Sequence, residues 1–169
     1  MSYQSETSKV RHLVLPYIEG YTCDIGFGGD KIIKKAIGID FARPYADCGT
    51  DSVDIQCNVL FGIPVHDSMY DTVYSSHLVE DFEDTENILK EFIRICKPNG
   101  NLIIVVPDQK KYEEQCKKDK SMPNPCHKIK EMGMNYVINV LHNINQYNIL
   151  YCNDCEIDYN AIVVCKVKK

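Results

Sequence analysis

Apolar residues recur along the chain at two different spacings, and the change from one to the other marks out the elements. Val10, Leu13, Val14, Tyr17 and Ile18 fall on a helical period, which predicts a helix within Ser5–Ile18, stopped by Gly20. Four short apolar or alternating runs follow and predict strands at Tyr21–Gly26, Ala36–Phe41, Val53–Val59 and Tyr70–Ser76. The segment Asp30–Lys35 is one helical turn at most, and Phe41–Asp51 is loop by its Pro, Gly and Asp content. Ile88, Leu89, Phe92, Ile93 and Cys96 then line one face of a helix predicted over Asp84–Gly100, with Asp84 as N-cap and Pro98 and Gly100 at the stop. Asn101–Asp108 is apolar throughout its centre, as expected of a strand covered on both faces. A polar, Lys-rich loop is predicted from Gln109, and a second helix over His127–Asn143, with Ile129, Met132, Tyr136, Val137, Val140 and Leu141 on its stripe. Two strands close the series, Gln146–Cys152 and Asn160–Lys168. Their separation by seven residues predicts an antiparallel hairpin.

Strands alternating with helices predict an α/β fold. The expectation is a doubly wound, mostly parallel seven-stranded sheet with the C-terminal hairpin antiparallel, in one domain over residues 1–169. Residues 109–128 are its only candidate lid or substrate loop. The composition, 44% hydrophobic and 25% charged, agrees with a globular chain.

A net charge of −5 argues against a nucleic-acid partner, because phosphate binding needs a concentrated basic face. Five lysines in Asp108–Lys120 are interleaved with acids and read as a solvated face. The first twenty residues lack the apolar run of a signal peptide, and the longest apolar runs are strand-sized, so neither export nor a membrane is expected. Nine cysteines scattered along such a chain suggest free thiols and a cytoplasmic location. Cys152 and Cys155 have the spacing of half a zinc site. The nearest second pair, Cys126 and His127, has the wrong spacing to complete it, so no metal is expected.

The stretch Tyr21–Ile32 raises the chemical question. A strand-like entry holds Asp24, and Gly26, Gly28 and Gly29 follow within four positions. Glycine permits a tight turn and a close approach of backbone. The next predicted strand carries Asp40, an acceptor-only carboxylate suited to two ribose hydroxyls. A glycine turn followed by an acid on the second strand is the nucleotide-binding layout of doubly wound sheets. Lys31 stands where a dinucleotide pattern needs a third small residue, and no full helix fits before Ala36 to receive a pyrophosphate. Asp24 would repel phosphate and suit a cationic ligand.

Taken together, these motifs resemble the class I S-adenosylmethionine-dependent methyltransferases, in the type 11 branch. The resemblance rests on Asp24, Gly26 and Gly28 after the first strand, Asp40 on the second, the stretch Cys57–Asp84, and the turn Cys96–Gly100 before the fifth strand. It implies S-adenosylmethionine as cofactor. Asp24, Gly26, Phe27 and Gly28 would line its methionine and ribose end. Asp40 would hold the ribose, Phe41 pack on the adenine, Asn58 and Val59 border the adenine edge, and Ser75 sit beside the sulfonium. Three positions depart from the family pattern: Asn58 for the usual Asp, Asp30 for a common Gly, and Asp81 for a His.

His77, just after the fourth strand, is the candidate catalytic base. His127 is a second, more distant candidate. Nothing in the chain indicates a substrate domain, and the expected acceptor is a small molecule or a saccharide. Two other readings stay open: a cofactor-binding protein that has lost catalysis and acts by interaction, and a nicotinamide-dependent oxidoreductase.

Overall fold

The computed structural model describes residues 4–42 and 49–169. Helix α1 (Glu6–Val14) begins at Ser5, whose hydroxyl accepts the Ser8 N–H, and tightens into a 3-10 turn over Leu15–Tyr17 where Pro16 interrupts the ladder. Strands β1 (Thr22–Ile25), β2 (Ile37–Asp40), β3 (Ile55–Gln56) and β4 (Tyr70–Ser76) follow. Helix α2 (Thr85–Ile95) and strand β5 (Cys96–Pro107) come next, then helices α3 (Gln109–Asp119) and α4 (Met134–Ile144), and finally β6 (Tyr147–Ile157) and β7 (Asn160–Val167).

Among the described residues the strands form one seven-stranded sheet in the order β3-β2-β1-β4-β5-β7-β6. The first five pair in parallel, and β7 runs antiparallel to both β5 and β6. The α/β, mostly parallel sheet with an antiparallel C-terminal hairpin is therefore as expected. One face packs α2 and α4 over Cys23, Ile25, Val73, Leu102, Ile104 and Val163. The other packs α1 and the Ile32–Ala36 segment over Tyr74, Ile103, Val105, Ile162 and Val164. Strand order reverses direction between β1 and β4, and the carboxyl ends of those strands open a crevice there.

Several boundaries differ from the sequence expectation. The third strand shrinks from Val53–Val59 to Ile55–Gln56, because Asn58 accepts the Leu60 N–H and turns the chain into a 3-10 segment. The Lys-rich stretch expected as loop is helical over Gln109–Asp119. Asp108 caps it, and the pairs Gln109–Glu113 and Gln115–Asp119 bond at i,i+4, so good helix formers outweigh the absence of an apolar stripe. The second long helix starts at Met134 and not at His127, after Gly133 in extended backbone. Helix α2 ends at Ile95, since Cys96 already pairs with Tyr70 of β4. Strand β6 runs five residues beyond Cys152, and only Asp158–Tyr159 form the turn.

The connection into β4 is held by Arg94 on α2. Its guanidinium donates to Ile63 O at 2.8 Å and Val65 O at 2.9 Å, and pairs with Glu91 and Asp67. Arg94→Met keeps the stem and removes these bonds. It should cost about 1–3 kcal/mol, read as a lower urea midpoint at unchanged slope.

Candidate active site

The turn after β1 is tight because Gly26 donates its N–H to Ile39 O at 2.8 Å across the strand ends. Gly26 has φ +71, and a Cβ there would lie 2.8 Å from Leu78 Cδ2. Gly29 has φ +90, and its Cβ would lie 2.6 Å from Gly49 O. The close approach that removes side chains from this turn is thus made by the chain itself. Asp40 closes the turn from β2. Its Oδ2 accepts the Gly28 N–H at 3.0 Å and its Oδ1 the Phe41 N–H at 2.7 Å. Burial raises the Asp40 carboxyl above its ordinary value, and those two N–H groups work against the shift.

Beside this turn lies a largely apolar cleft of about 190 Å³. Gly26, Asp40, Phe41 and Val59 of the expected site residues line it, together with Ile39 and Cys57. The opposite wall comes from Leu78, Asp81 and Phe82 after β4, and from Cys126 and Lys128 after α3. Sequence reasoning passed over these five as site residues. The departure noted at Asp81 and the placement of 126 and 128 in the expected lid were the available signals.

The other expected residues support the cleft from outside its lining. Asp24 alternates with Cys23 and Ile25 and so faces the α1 side of the sheet. It is fully buried, and its Oδ2 accepts the Ile32 N–H at 2.6 Å. Burial, with Asp30 and Asp40 nearby, pushes its carboxyl well above the usual range. Phe27 is buried against Gly38. Gly28 acts through its N–H to Asp40, and Asn58 caps the 3-10 turn that carries Val59. Ser75 donates to Ile25 O at 3.0 Å, tying β4 to β1.

A carboxyl whose folded pKa is raised favours the fold while protonated. That advantage is full at pH below the unfolded value and is lost as pH rises toward the folded one. Asp24→Asn keeps an acceptor for the Ile32 N–H and removes the titration. Relative to wild type, the variant should gain stability as pH rises above the ordinary carboxylate range, measured by urea denaturation.

His77 follows β4 with φ +52, its N–H donating to Val105 O at 2.9 Å. Its ring does not line the cleft. Nε2 bonds Asn160 Oδ1 at 2.7 Å, and Nδ1 lies 3.4 Å from Glu80 Oε1. Glu6 of α1, Tyr159, Tyr112 and His127 complete the cluster. Burial holds His77 below its ordinary pKa against the pull of Glu6, and burial with His77 nearby lowers His127 to about 4. Burial also works on Glu6, but His77, Asn160, Tyr159 and Lys9 keep it below the carboxylate norm.

The sheet order, the crevice and the acid on β2 are those of a class I methyltransferase fold. Residues 23–104 match the model of a methyltransferase-domain family, in agreement with the resemblance to the type 11 branch, and the match implies S-adenosylmethionine as methyl donor. No curated protein sequence matches the chain. Among solved structures, a Thermotoga maritima S-adenosylmethionine-dependent methyltransferase, with histamine N-methylation as its suggested activity, aligns with TM-score 0.70 at 19% identity, over 96% of this chain and 89% of that one. The complex of the Haloferax volcanii Trm112 methyltransferase activator with a methyltransferase provides a chain with TM-score 0.65 at 17% identity, over 95% and 89%. A Methanococcus maripaludis protein described as an S-adenosylmethionine-dependent methyltransferase gives TM-score 0.62 at 18%, over 95% and 84%. At these identities the likeness is one of fold. No helix of the described residues is long and apolar enough to cross a membrane.

Proposed function

We propose that the chain transfers a methyl group from S-adenosylmethionine to a small-molecule or saccharide acceptor, with the cleft beside Asp40 as the donor site. The observation that carries this reading is Asp40 itself. Two backbone N–H groups fix its carboxylate at the rim of an apolar cleft, where it can accept hydrogen bonds from two ribose hydroxyls. Ile39, Phe41 and Val59 offer an apolar wall for a purine, and the Gly26 turn supplies backbone at the far end. The segment between β1 and β2 holds no helix, so the turn lacks the N-terminus that would receive a pyrophosphate, which disfavours the nicotinamide reading.

When bound, the cofactor supplies an electrophilic methyl carbon on a sulfonium. The chain's part is to position the acceptor and exclude water, which can account for about 7–11 kcal/mol of barrier lowering in ideal cases. His77 Nε2 is engaged by Asn160 and the ring does not line the cleft, so this reading rests on positioning and not on proton abstraction by His77. Cys126 and Lys128, at the end of the stretch 109–128, line the side of the cleft past which an acceptor would enter. The Thermotoga neighbour's suggested amine acceptor fits the small-molecule class. The second reading, a cofactor-binding protein that works by interaction, draws on Leu60 and Phe61, which are 56% and 88% exposed beside the edge strand β3.

Calorimetric titration with S-adenosylmethionine, S-adenosylhomocysteine and NAD tests the donor site. Binding of both sulfur nucleosides with NAD silent is expected. Silence from the sulfur nucleosides would overturn the reading, and binding without turnover on any acceptor would favour the second one.

A further inference from the structure

The turn that carries one wall of the cleft has a carboxyl group at its centre with nothing to bond. Glu80 lies in the 3-10 turn Val79–Asp81, is 0% exposed, and neither of its carboxyl oxygens has a hydrogen-bond partner. Two imidazoles stand closest, with Oε1 lying 3.4 Å from His77 Nδ1 and 3.8 Å from His127 Nε2. Neither ring brings a positive charge at neutral pH, since burial holds His77 below its ordinary pKa, and burial with His77 nearby lowers His127 to about 4. The other titratable groups around the cluster are Asp81 on the same turn, Glu6 and Lys9 on α1, Tyr112 and Glu113 on α3, and Asp158 and Tyr159 in the turn before β7. Lys9 is committed to Glu6 at 3.0 Å and Asp158 at 3.4 Å. Among the described residues no Lys or Arg forms an ion pair with Glu80.

An ionised carboxylate at this position would be an uncompensated buried charge, so the folded chain holds Glu80 as the neutral acid. Burial, with Asp81 and Glu6 nearby, pushes its carboxyl well above the usual range, in agreement with the geometry. The neutral acid has an O–H to give, and the network around His77 shows where. Asn160 donates through Nδ2 to Glu6 Oε2 at 3.0 Å, which leaves its Oδ1 to accept from His77 Nε2 at 2.7 Å. The His77 proton therefore sits on Nε2, and the Nδ1 lone pair is the nearest acceptor for the Glu80 proton.

We propose that protonated Glu80 is the clasp of this cleft wall, and that donor binding weakens as pH rises and the proton leaves. Leu78 and Asp81, on either side of Glu80 in the chain, line the cleft. Glu80 O accepts the Lys128 N–H at 2.8 Å, which holds the second segment of the wall, Cys126 and Lys128, against the first. A closed wall keeps the carboxyl dry, whereas an open wall would hydrate it and return it to an ordinary carboxylate. A carboxyl raised in the closed state supports closure fully below its hydrated value, and the support is lost as pH rises through the raised one. Asp24, a second carboxyl with 0% exposure, lies on the α1 side of the sheet and lines no part of the cleft. The effect on the donor rests on the donor-site reading above, whereas the clasp itself does not.

The test is carboxyl-carbon NMR of the glutamate-labelled full chain over a pH series, with Glu80→Gln to assign the Glu80 signal. Amide exchange at Lys128 and calorimetry with S-adenosylmethionine are followed in both proteins. An acid-form carboxyl signal at neutral pH, absent from E80Q, is expected. Protection of the Lys128 amide should fall with rising pH in wild type relative to E80Q. Wild-type affinity should drop by up to about tenfold per pH unit above the point where that signal titrates. E80Q should lose only what the ligand's own amino group imposes on both proteins. A carboxylate-form Glu80 signal at neutral pH would overturn the proposal, as would parallel Lys128 profiles or parallel affinity profiles in the two proteins. If S-adenosylmethionine binds neither protein, the donor-site reading fails, and the two NMR measurements still decide the clasp. Glu80→Met, neutral and of similar length, takes the place of E80Q should that variant not fold.

Discussion

Asp40→Ala should weaken S-adenosylmethionine binding by about 1–3 kcal/mol, the cost of removing charge-assisted hydrogen bonds. The carboxylate has two tasks in the structure, since it accepts the N–H groups of Gly28 and Phe41 and presents its remaining lone pairs to the cleft. Asp40→Asn separates them. The amide keeps one acceptor oxygen and replaces the other with a donor, which would oppose the Gly28 or Phe41 N–H. The Asn variant should therefore also lose affinity, while the circular dichroism of both variants stays native. Calorimetry on folded protein checks this. Unchanged affinity in the Ala variant would remove Asp40 from the donor site.

Phe92→Ala should cost about 3–5 kcal/mol of stability, through lost transfer energy and the cavity left behind. Phe92 is 0% exposed and sits on α2 in the larger core, with Ile88, Leu89 and Ile93 around it on the same helix. That core fixes α2 against β4 and β5 and thereby sets the carboxyl end of β4, where the cleft wall begins. The expected loss is a large share of the stability of an ordinary domain. A drop in urea midpoint with little change in slope is the expected readout, and a change below about 1 kcal/mol would show that the helix repacks without it.

What the residues announced in advance was whatever local periodicity encodes. Helix α2 and strand β5 stand out because one long stripe and one unbroken apolar run have few alternatives. The place of Asp40 at the end of β2 was legible as well, since an acid ending the second strand after a glycine turn is a matter of spacing. The burial of Asp24 was legible in the same way. The alternation of a strand already places it opposite Cys23 and Ile25, hence under α1 and away from the cleft, although its charge suggested a ligand contact. Helix α3 was hidden because its stability comes from i,i+4 polar pairs and a cap, and its apolar content predicts nothing. Cys126 and Lys128 reach the cleft from about a hundred residues beyond Gly26, through a segment whose own pattern says nothing of its destination. The Glu80 cluster draws on α1, the turns after β4 and before α4, α3 and β7, and no single window of sequence contains it.

The placement of β7 bears on how the chain acquires its shape. This strand is synthesised after the other six, yet it lies inside the sheet between β5 and β6. Helix α1, made before the sheet, bonds through Glu6 to Tyr159, just before that strand, and to Asn160, its first residue. On a ribosome, the parallel half can assemble early, but β5 keeps an open edge and α1 lacks its anchor until residues 160–167 emerge. Until then the unpaired β5 is the edge that needs protection from other chains.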